Sequence, residues 1–149
     1  MGLIKVNEVE AFVLPTHPHI PVLECHLEDG RNFYLYYVPL EIVVAINNLR
    51  HGGKFISERE SVYDILSFLK NDLRGALGKH LEKVIIDELN PQTMLYTATL
   101  EIKTNGALIK RKMVPSHAIF LALIAEKEIY VESRLVDQQE KLRKKEGDY

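Results

Sequence analysis

The fold is decided by residues 105–125, which read NGALIKRKMVPSHAIFLALIA. Asn105 and Gly106 favour a two-residue hairpin turn because both tolerate positive φ. Residues 107–114 then have the composition of a strand. Pro115 disfavours helix at the residue before it and suits the first helical turn, so a helix should begin there. The unbroken apolar run 118–125 is too short to span a bilayer and predicts a helix buried on most sides.

The same signals occur earlier in the chain at one constant offset. Asp29 and Gly30 correspond to Asn105 and Gly106, and an apolar run again follows a proline, Pro39. Turn chemistry and hydrophobic pattern held in register over half the chain indicate an internal duplication. We therefore predict that two copies of one strand-rich unit share a single core.

Hydrophobic alternation extends this unit into a fold. Strands are predicted at about 4–14, with a bulge near residues 7–8, then at 23–27, 33–38, 84–86 and 94–102, with a short strand at 129–131. The strand at 33–38 is apolar or aromatic on both faces and should be central. A capping-box pattern that starts at Ser57 predicts one long helix carrying Val62 to Leu73. A short strand is predicted just before this pattern, at residues 55–56. Ser133 should cap the last helix.

The predicted fold class is α+β. A duplicated strand-strand-strand-helix-strand-helix unit forms one largely antiparallel mixed sheet, and helices pack on it. A barrel-like sheet is compatible with this pattern. We expect one domain over residues 1–149, with repeats at about 4–78 and 79–142 and a charged tail at 143–149.

Composition restricts the class of protein. Hydrophobic residues make up 46% of the chain and charged residues 27%, which is typical of a folded domain. A net charge of −2 argues against broad attraction to nucleic acid or anionic lipid, although a local patch can act against it. The single cysteine, Cys25, excludes an internal disulfide and should lie in the core. With no secretory segment at the start of the sequence, we expect a cytoplasmic protein with no membrane partner.

Four short motifs resemble the bifunctional nuclease domain family. Residues 114–119 read VPSHAI where the family usually reads RPSDAI, and IYV follows at 129–131. Residues 38–41 (VPLE) and 62–66 (VYDIL) are similar to two further family elements, the second usually reading THDLL. The resemblance covers about residues 9–135 and implies a compact, often oligomeric domain, some of whose members cleave both RNA and DNA.

The resemblance also implies a set of site residues. Glu41, Asp64 and Ser116 match the family's polar positions, whereas Val114, His117 and Tyr63 depart from it. Hydrolysis of a phosphodiester needs an activated water and neutralisation of charge on phosphate, by a divalent metal such as Mg or Mn or by a histidine with a cation. His117 is a candidate general base.

Each of these residues also has a structural alternative. Asp64 and Ser116 are suited to cap helices, which does not exclude phosphate binding, because a helix start that accepts a carboxylate also accepts a phosphate. His117 is equally suited to a partly buried position bonded to backbone. The three histidines His17, His19 and His26 do not have the spacing of a metal site.

A basic hairpin is the second functional candidate. Its cations are Lys103, Lys110, Arg111 and Lys112, which flank the Asn105 turn and could follow a phosphate backbone, with Tyr34 or Tyr36 as stacking surfaces. Lysine on an edge strand is also a common protection against aggregation. Two hypotheses remain: a nuclease acting on RNA or DNA, and a non-catalytic module of the same fold that binds nucleic acid or protein. The three departures favour the second, and a homo-oligomer is expected in either case.

Overall fold

The computed structural model describes residues 2–51 and 59–145. Within them the chain is α+β, with one open, mostly antiparallel sheet of seven strands and five helices. In chain order the elements are β1 (Leu3–Leu14), β2 (Ile20–Leu27), β3 (Asn32–Tyr36), α1 (Leu40–His51), α2 (Val62–Phe68), α3 (Lys70–Gly78), β4 (Leu81–Asn90), β5 (Leu95–Thr104), β6 (Ala107–Met113), α4 (Pro115–Ala125), β7 (Glu128–Glu132) and α5 (Ser133–Lys145).

The sheet consists of two antiparallel meanders joined by β7. Its strand order is β3-β2-β1-β7-β4-β5-β6, and β7 pairs antiparallel with β1 and parallel with β4. The predicted bulge is confirmed, since the β1–β2 register shifts between Val6 and Glu8. Each half begins with a meander and continues into a helix, but the common origin of the two halves stays a prediction. The sheet is open, so a closed barrel is wrong.

The open sheet nevertheless curls strongly. Phe33 on β3 and Tyr96 on β5 have ring centroids 5.0 Å apart, although four strands lie between β3 and β5 in the sheet order. The side chain of Gln139 on α5 spans the same gap, with hydrogen bonds to the backbone of Tyr34 and to the hydroxyl of Tyr96. Side chains therefore close the concave side where backbone pairing does not.

The stretch 105–125 folds as predicted. Asn105 and Gly106 take φ of 49° and 78° at the β5–β6 turn, and α4 starts at Pro115. This helix is almost entirely buried, with Ile119 and Ala122 at 0% exposure, and it contacts α1, α3 and the strands β4, β5 and β7. It ends where Glu126 adopts the left-handed conformation at φ 56°. An apolar helix with no polar face is accounted for by packing on several sides.

The strand predicted to be central lies at an edge. Strand β3 pairs only with β2, and Phe33 and Leu35 are buried on the concave face while Tyr36 is 40% exposed. Its outward Tyr34 is covered by the guanidinium of Arg143, which lies 4.2 Å from the ring centroid. The apolar and aromatic residues on both faces of β3 are therefore explained by the packing of α5 on this strand. They do not indicate a second neighbouring strand.

The predicted long helix is two helices. Leu69, with φ −91° and ψ 13°, separates α2 from α3, so the apolar residues between positions 62 and 73 do not lie along one continuous helix. Ser57 and the strand predicted at 55–56 lie outside the described residues. The capping box is instead made by Ser61 and Asp64.

Three further details complete the description of β2 and α5. Pro21 lies inside β2 opposite Val13, where its carbonyl accepts a hydrogen bond from Val38 N. The hydroxyl of Ser133 accepts from Gly2 N at 3.2 Å, which ties the start of α5 to β1. The charged tail is helical through Lys145 because α5 continues past the predicted repeat end.

No helix in the described ranges combines the length and the apolar character that crossing a bilayer requires. Cytoplasmic location and homo-oligomerisation stay predictions.

Candidate functional site

The starts of three helices meet on one side of the molecule. Helix α1 packs against both α2 and α4. Tyr63, in the first turn of α2, places its hydroxyl 3.0 Å from Nε2 of His117, in the first turn of α4. Glu41 is in the first turn of α1, and its negative charge acts on the same phenol. Of the residues predicted for the site, the structure places His117 in contact with Tyr63, whereas Glu41 is related to this pair through its charge.

The phenol is held in its neutral form. Burial, and after it the negative charge of Glu41, raise the pKa of Tyr63 above its ordinary value. A neutral phenol donates its proton, and Nε2 of His117 accepts it when the other ring nitrogen carries the imidazole proton. The ring of Tyr63 also packs edge-on against His117 and Phe120, with centroid separations of 5.6 and 5.5 Å. The imidazole is therefore held by a hydrogen bond and a ring contact from Tyr63, whose own ring is held by Phe120.

The start of α4 lacks a side-chain cap. Its N-cap residue is Val114, which has no hydroxyl or carboxylate to offer, and Pro115 takes the first helical position. The first backbone bond of the helix runs from Ala118 N to Val114 O. The N–H groups of Ser116 and His117 precede that bond and have no partner within the helix. A helix start of this kind suits an anion.

Ser116 does not cap this helix. It is 2% exposed and sits beneath the first turn. The prediction that it caps α4 is wrong because the N-cap position falls two residues earlier, on Val114. A buried hydroxyl at this place is not presented to a solvent-borne substrate.

Asp64 is a capping residue, as its structural alternative predicted. Its Oδ2 accepts from the backbone N and the hydroxyl of Ser61 at 2.9 and 3.1 Å, while its own N donates to the Ser61 hydroxyl at 3.3 Å. The carboxylate therefore points back toward Ser61. Its Oδ2 is engaged in holding the first turn of α2, which in turn positions Tyr63.

The cations of the basic hairpin are less available to a nucleic acid than the sequence indicates. Lys112 forms an ion pair with Glu88, and Lys110 lies directly opposite Glu101 in the β5–β6 register. Lys103 and Arg111 are exposed on opposite faces of the hairpin. All four cations lie on or beside β6, an edge strand, so protection of that edge is consistent with their position.

The predicted stacking tyrosines are far from these cations in the sheet. Tyr34 and Tyr36 are on β3, at the opposite edge from β6, and their rings stack on each other with centroids 5.9 Å apart. The Tyr34 hydroxyl donates to Oε2 of Glu24 at 2.8 Å. The strand order therefore does not place these tyrosines next to the basic hairpin, and one surface formed by the two stays a prediction.

A cleft of about 520 Å³ lies beside the β4–β5 turn, lined by residues that include Glu88, Asn90 and Arg134. None of the predicted catalytic residues lines it. The helix-start site is a surface site, formed where three helices converge.

Sequence reasoning missed Tyr63 as a member of the site. It was noted only as a departure from the family pattern. Its place immediately before the capping residue Asp64 was the available signal, because a residue in the first turn of a capped helix has a fixed direction. Its partner His117 is 54 residues away in the chain, and no local pattern relates the two.

Fold and site together define an α+β protein with an open seven-stranded sheet and a tyrosine–histidine pair among three helix starts. A scan against models of known protein families finds no match to this chain, and a comparison with curated proteins finds none either.

Proposed function

We propose that this chain is a nuclease that hydrolyses phosphodiester bonds of RNA or DNA at the start of α4, and that it is related to the bifunctional nuclease domain family. The observation that carries the proposal is the 3.0 Å contact between the Tyr63 hydroxyl and Nε2 of His117, beside Glu41 and at a helix start with no side-chain cap. Anion-binding N–H groups and a proton-transfer group occur there within one helical turn.

The phosphate would bind at the first turn of α4. The N–H groups of Ser116 and His117 supply donors, and the helix dipole favours negative charge at this end. Because the charge on phosphate oxygens grows during attack by water, donors fixed in place stabilise that charge without reorganising. The side chain of Ser116 has no part in this step, since it is buried.

His117 would accept the proton of the attacking water at Nδ1, in the tautomer whose Nε2–H donates to the Tyr63 hydroxyl oxygen, and would then return it to the leaving oxygen. Histidine exchanges protons near neutral pH, and its ring is oriented here by Tyr63. Tyr63 acts as a positioning residue, since the raised pKa keeps its proton on the hydroxyl and its hydrogen bond fixes the imidazole. Glu41 adds a negative charge that helps to keep the proton on the Tyr63 hydroxyl.

A divalent metal fits this site poorly without substrate. Mg²⁺ and Mn²⁺ prefer carboxylate oxygens, and of the two predicted carboxylates Asp64 has its Oδ2 bonded to Ser61, whereas the described residues 2–51 and 59–145 show no hydrogen bond to Glu41. Magnesium sites often combine one or two carboxylates with substrate phosphate.

The test is a cleavage assay on single-stranded RNA and DNA, with Mg²⁺ or Mn²⁺ and with a chelator. Replacing His117→Gln should lower the rate by about 10²- to 10⁴-fold, the usual contribution of a positioned acid–base group. Tyr63→Phe keeps the ring and removes the hydrogen bond, so it should slow cleavage less and change its pH profile. His19→Gln, in the loop before β2, is the matched control. The proposal is overturned if the wild-type protein leaves both RNA and DNA intact under all of these conditions.

A non-catalytic nucleic-acid-binding module is the second candidate. The exposed Lys103, Lys110 and Arg111 around the β5–β6 turn favour it, because these cations flank one hairpin. It predicts salt-sensitive binding without turnover. Lys110→Glu combined with Arg111→Glu should abolish binding, whereas Lys141→Glu on α5 should leave it unchanged. Titrations at two salt concentrations that show no binding would remove this candidate.

A further inference from the structure

We propose that Glu10, Glu24 and His26 form a binding site for one divalent transition-metal ion of the zinc class, on the convex face of the β1–β2 hairpin. Nε2 of His26 lies 3.2 Å from Oε1 of Glu10 and 3.6 Å from Oε1 of Glu24. One ligand atom from each of the three side chains falls within 4.8 Å of the others. The site shares no residue with the helix-start site and does not depend on nuclease activity.

The sheet positions the three side chains. Glu10 and Glu24 are directly opposite each other in the antiparallel β1–β2 register, and His26 follows Glu24 by two residues on the same face. Two like charges directly opposite on neighbouring strands destabilise a sheet. A cation between them removes that repulsion, and the paired strands hold its ligands on a rigid support.

The distances match those of a metal's ligands. Zinc binds histidine nitrogen and carboxylate oxygen at about 2.0–2.2 Å, so neighbouring ligands at tetrahedral angles lie roughly 3.3 Å apart. The separations of 3.2 and 3.6 Å from His26 Nε2 bracket that value. An ion can therefore enter with small side-chain rotations.

The imidazole is oriented for this role. Its Nδ1 lies 2.8 Å from Oδ1 of Asn32 and donates to it, which leaves the lone pair of the neutral ring on Nε2, facing the two carboxylates. In the described part of the chain, Nε2 is shielded from solvent and has no hydrogen-bond partner of acceptable geometry. Metal-binding histidines almost always donate their other ring N–H to an oxygen in this way.

Glu24 is also oriented by a neighbour. Its Oε2 accepts from the Tyr34 hydroxyl at 2.8 Å, so its Oε1 is the atom that faces His26. Glu24 and His26 are partly buried, whereas Glu10 is more exposed. One side of the site is thus open to solvent, and a water or an added ligand can complete the coordination.

The donor set points to a class of ion. One imidazole nitrogen with two carboxylate oxygens suits Zn²⁺, and related sets hold Fe²⁺ or Mn²⁺, whereas Ca²⁺ takes six to eight oxygens. Burial lowers the pKa of His26, but the Asn32 hydrogen bond and the charges of Glu24 and Glu10 outweigh it and raise the value.

The other charged or titratable groups facing this region are Glu8, opposite His26 and paired with Arg50, and Tyr34, which Arg143 covers. Those pairs leave the ring and the two carboxylates as the groups that respond to the ion.

The experiment is Zn²⁺ titration of the untagged full chain by calorimetry, with Co²⁺ absorption as a second readout. We expect one equivalent to bind, with imidazole signals of His26 shifting in NMR spectra. His26→Gln and Glu10→Gln should each weaken binding at least tenfold. Asn32→Ala, which removes only the orienting bond, should weaken it about 10- to 100-fold.

The matched control is the double variant His17→Gln with His19→Gln, whose rings lie 5.7 Å apart in the loop before β2. Its affinity for Zn²⁺ should equal that of the wild type. Loss of binding in this control, unchanged binding in folded His26→Gln, or no binding to the wild type would each overturn the proposal. Circular dichroism and thermal melting in chelator establish that each variant is folded.

Discussion

At the scale of single residues, His26 determines how stability depends on pH in metal-free buffer. Its folded pKa is raised above its unfolded value by Asn32, Glu24 and Glu10. Its contribution is therefore fully present below the unfolded pKa, roughly 6.5, and is lost as pH rises through the folded pKa. In chelator, the urea midpoint of the wild type should fall relative to that of His26→Gln as pH rises from about 6.

The measurement is a series of urea unfolding curves for wild type, His26→Gln and the control His19→Gln. The wild type and His19→Gln should share one pH dependence because His19 lies in an exposed loop. If His26→Gln also follows that curve, the three partners do not stabilise the protonated ring.

Two features of the fold were predictable from single residues, namely a turn conformation and a buried position. The positive φ of Asn105 and Gly106 and the burial of Cys25 were both predicted. Burial raises the pKa of the Cys25 thiol to about 12, which agrees with a core residue and not a nucleophile. Ser116 was mispredicted because its neighbour Val114 takes the cap position without offering any cap group.

At the scale of elements, Gln139 allows β3 to be an edge strand. Its Oε1 accepts from Tyr34 N at 2.8 Å and its Nε2 donates to Tyr34 O at 2.9 Å, so it takes the place of a neighbouring strand for one residue. Gln139→Ala leaves both backbone groups without that partner and should lower the free energy of unfolding by about 1–3 kcal/mol.

Chemical denaturation measures this cost, and the adjacent Gln138 provides the control. Gln138 is exposed, so Gln138→Ala should change stability by no more than about 0.5 kcal/mol. Equal stability of the two variants would show that water replaces the amide of Gln139 without cost.

The same contact explains why sequence placed β3 wrongly. Alternating apolar residues report that a strand is covered but not what covers it. Here the cover is α5, which lies 105 positions from Tyr34 along the chain. The break at Leu69 was missed for the opposite reason, since the helical spacing continues through it while the backbone does not.

At the scale of the whole molecule, α+β class and a largely antiparallel sheet were predictable, whereas strand order was not. Periodicity identifies strands one at a time, but β7 enters between β1 and β4 from the far end of the chain. The candidate site was predictable to the same extent. Motifs were enough to choose Glu41 and His117, but only the packing of α1, α2 and α4 shows that Tyr63 belongs to the site and that Asp64 binds Ser61 instead. The cluster of Glu10, Glu24 and His26 depends on register and was missed.

The position of β7 leads to a prediction for the whole molecule. Val131 is fully buried and lies opposite Ile4 on β1 and Ile86 on β4, so it touches both meanders at their joint. Val131→Ala removes two buried methyl groups and should cost roughly 2–3 kcal/mol. Because one strand holds both halves, amide hydrogen exchange should accelerate together in β1 and β4 and not in one of them alone. Val62→Ala, at a side chain 63% exposed on α2, should stay within about 0.5 kcal/mol of wild type. Faster exchange confined to one meander would mean that the two halves are separate cooperative units, each stable without the other.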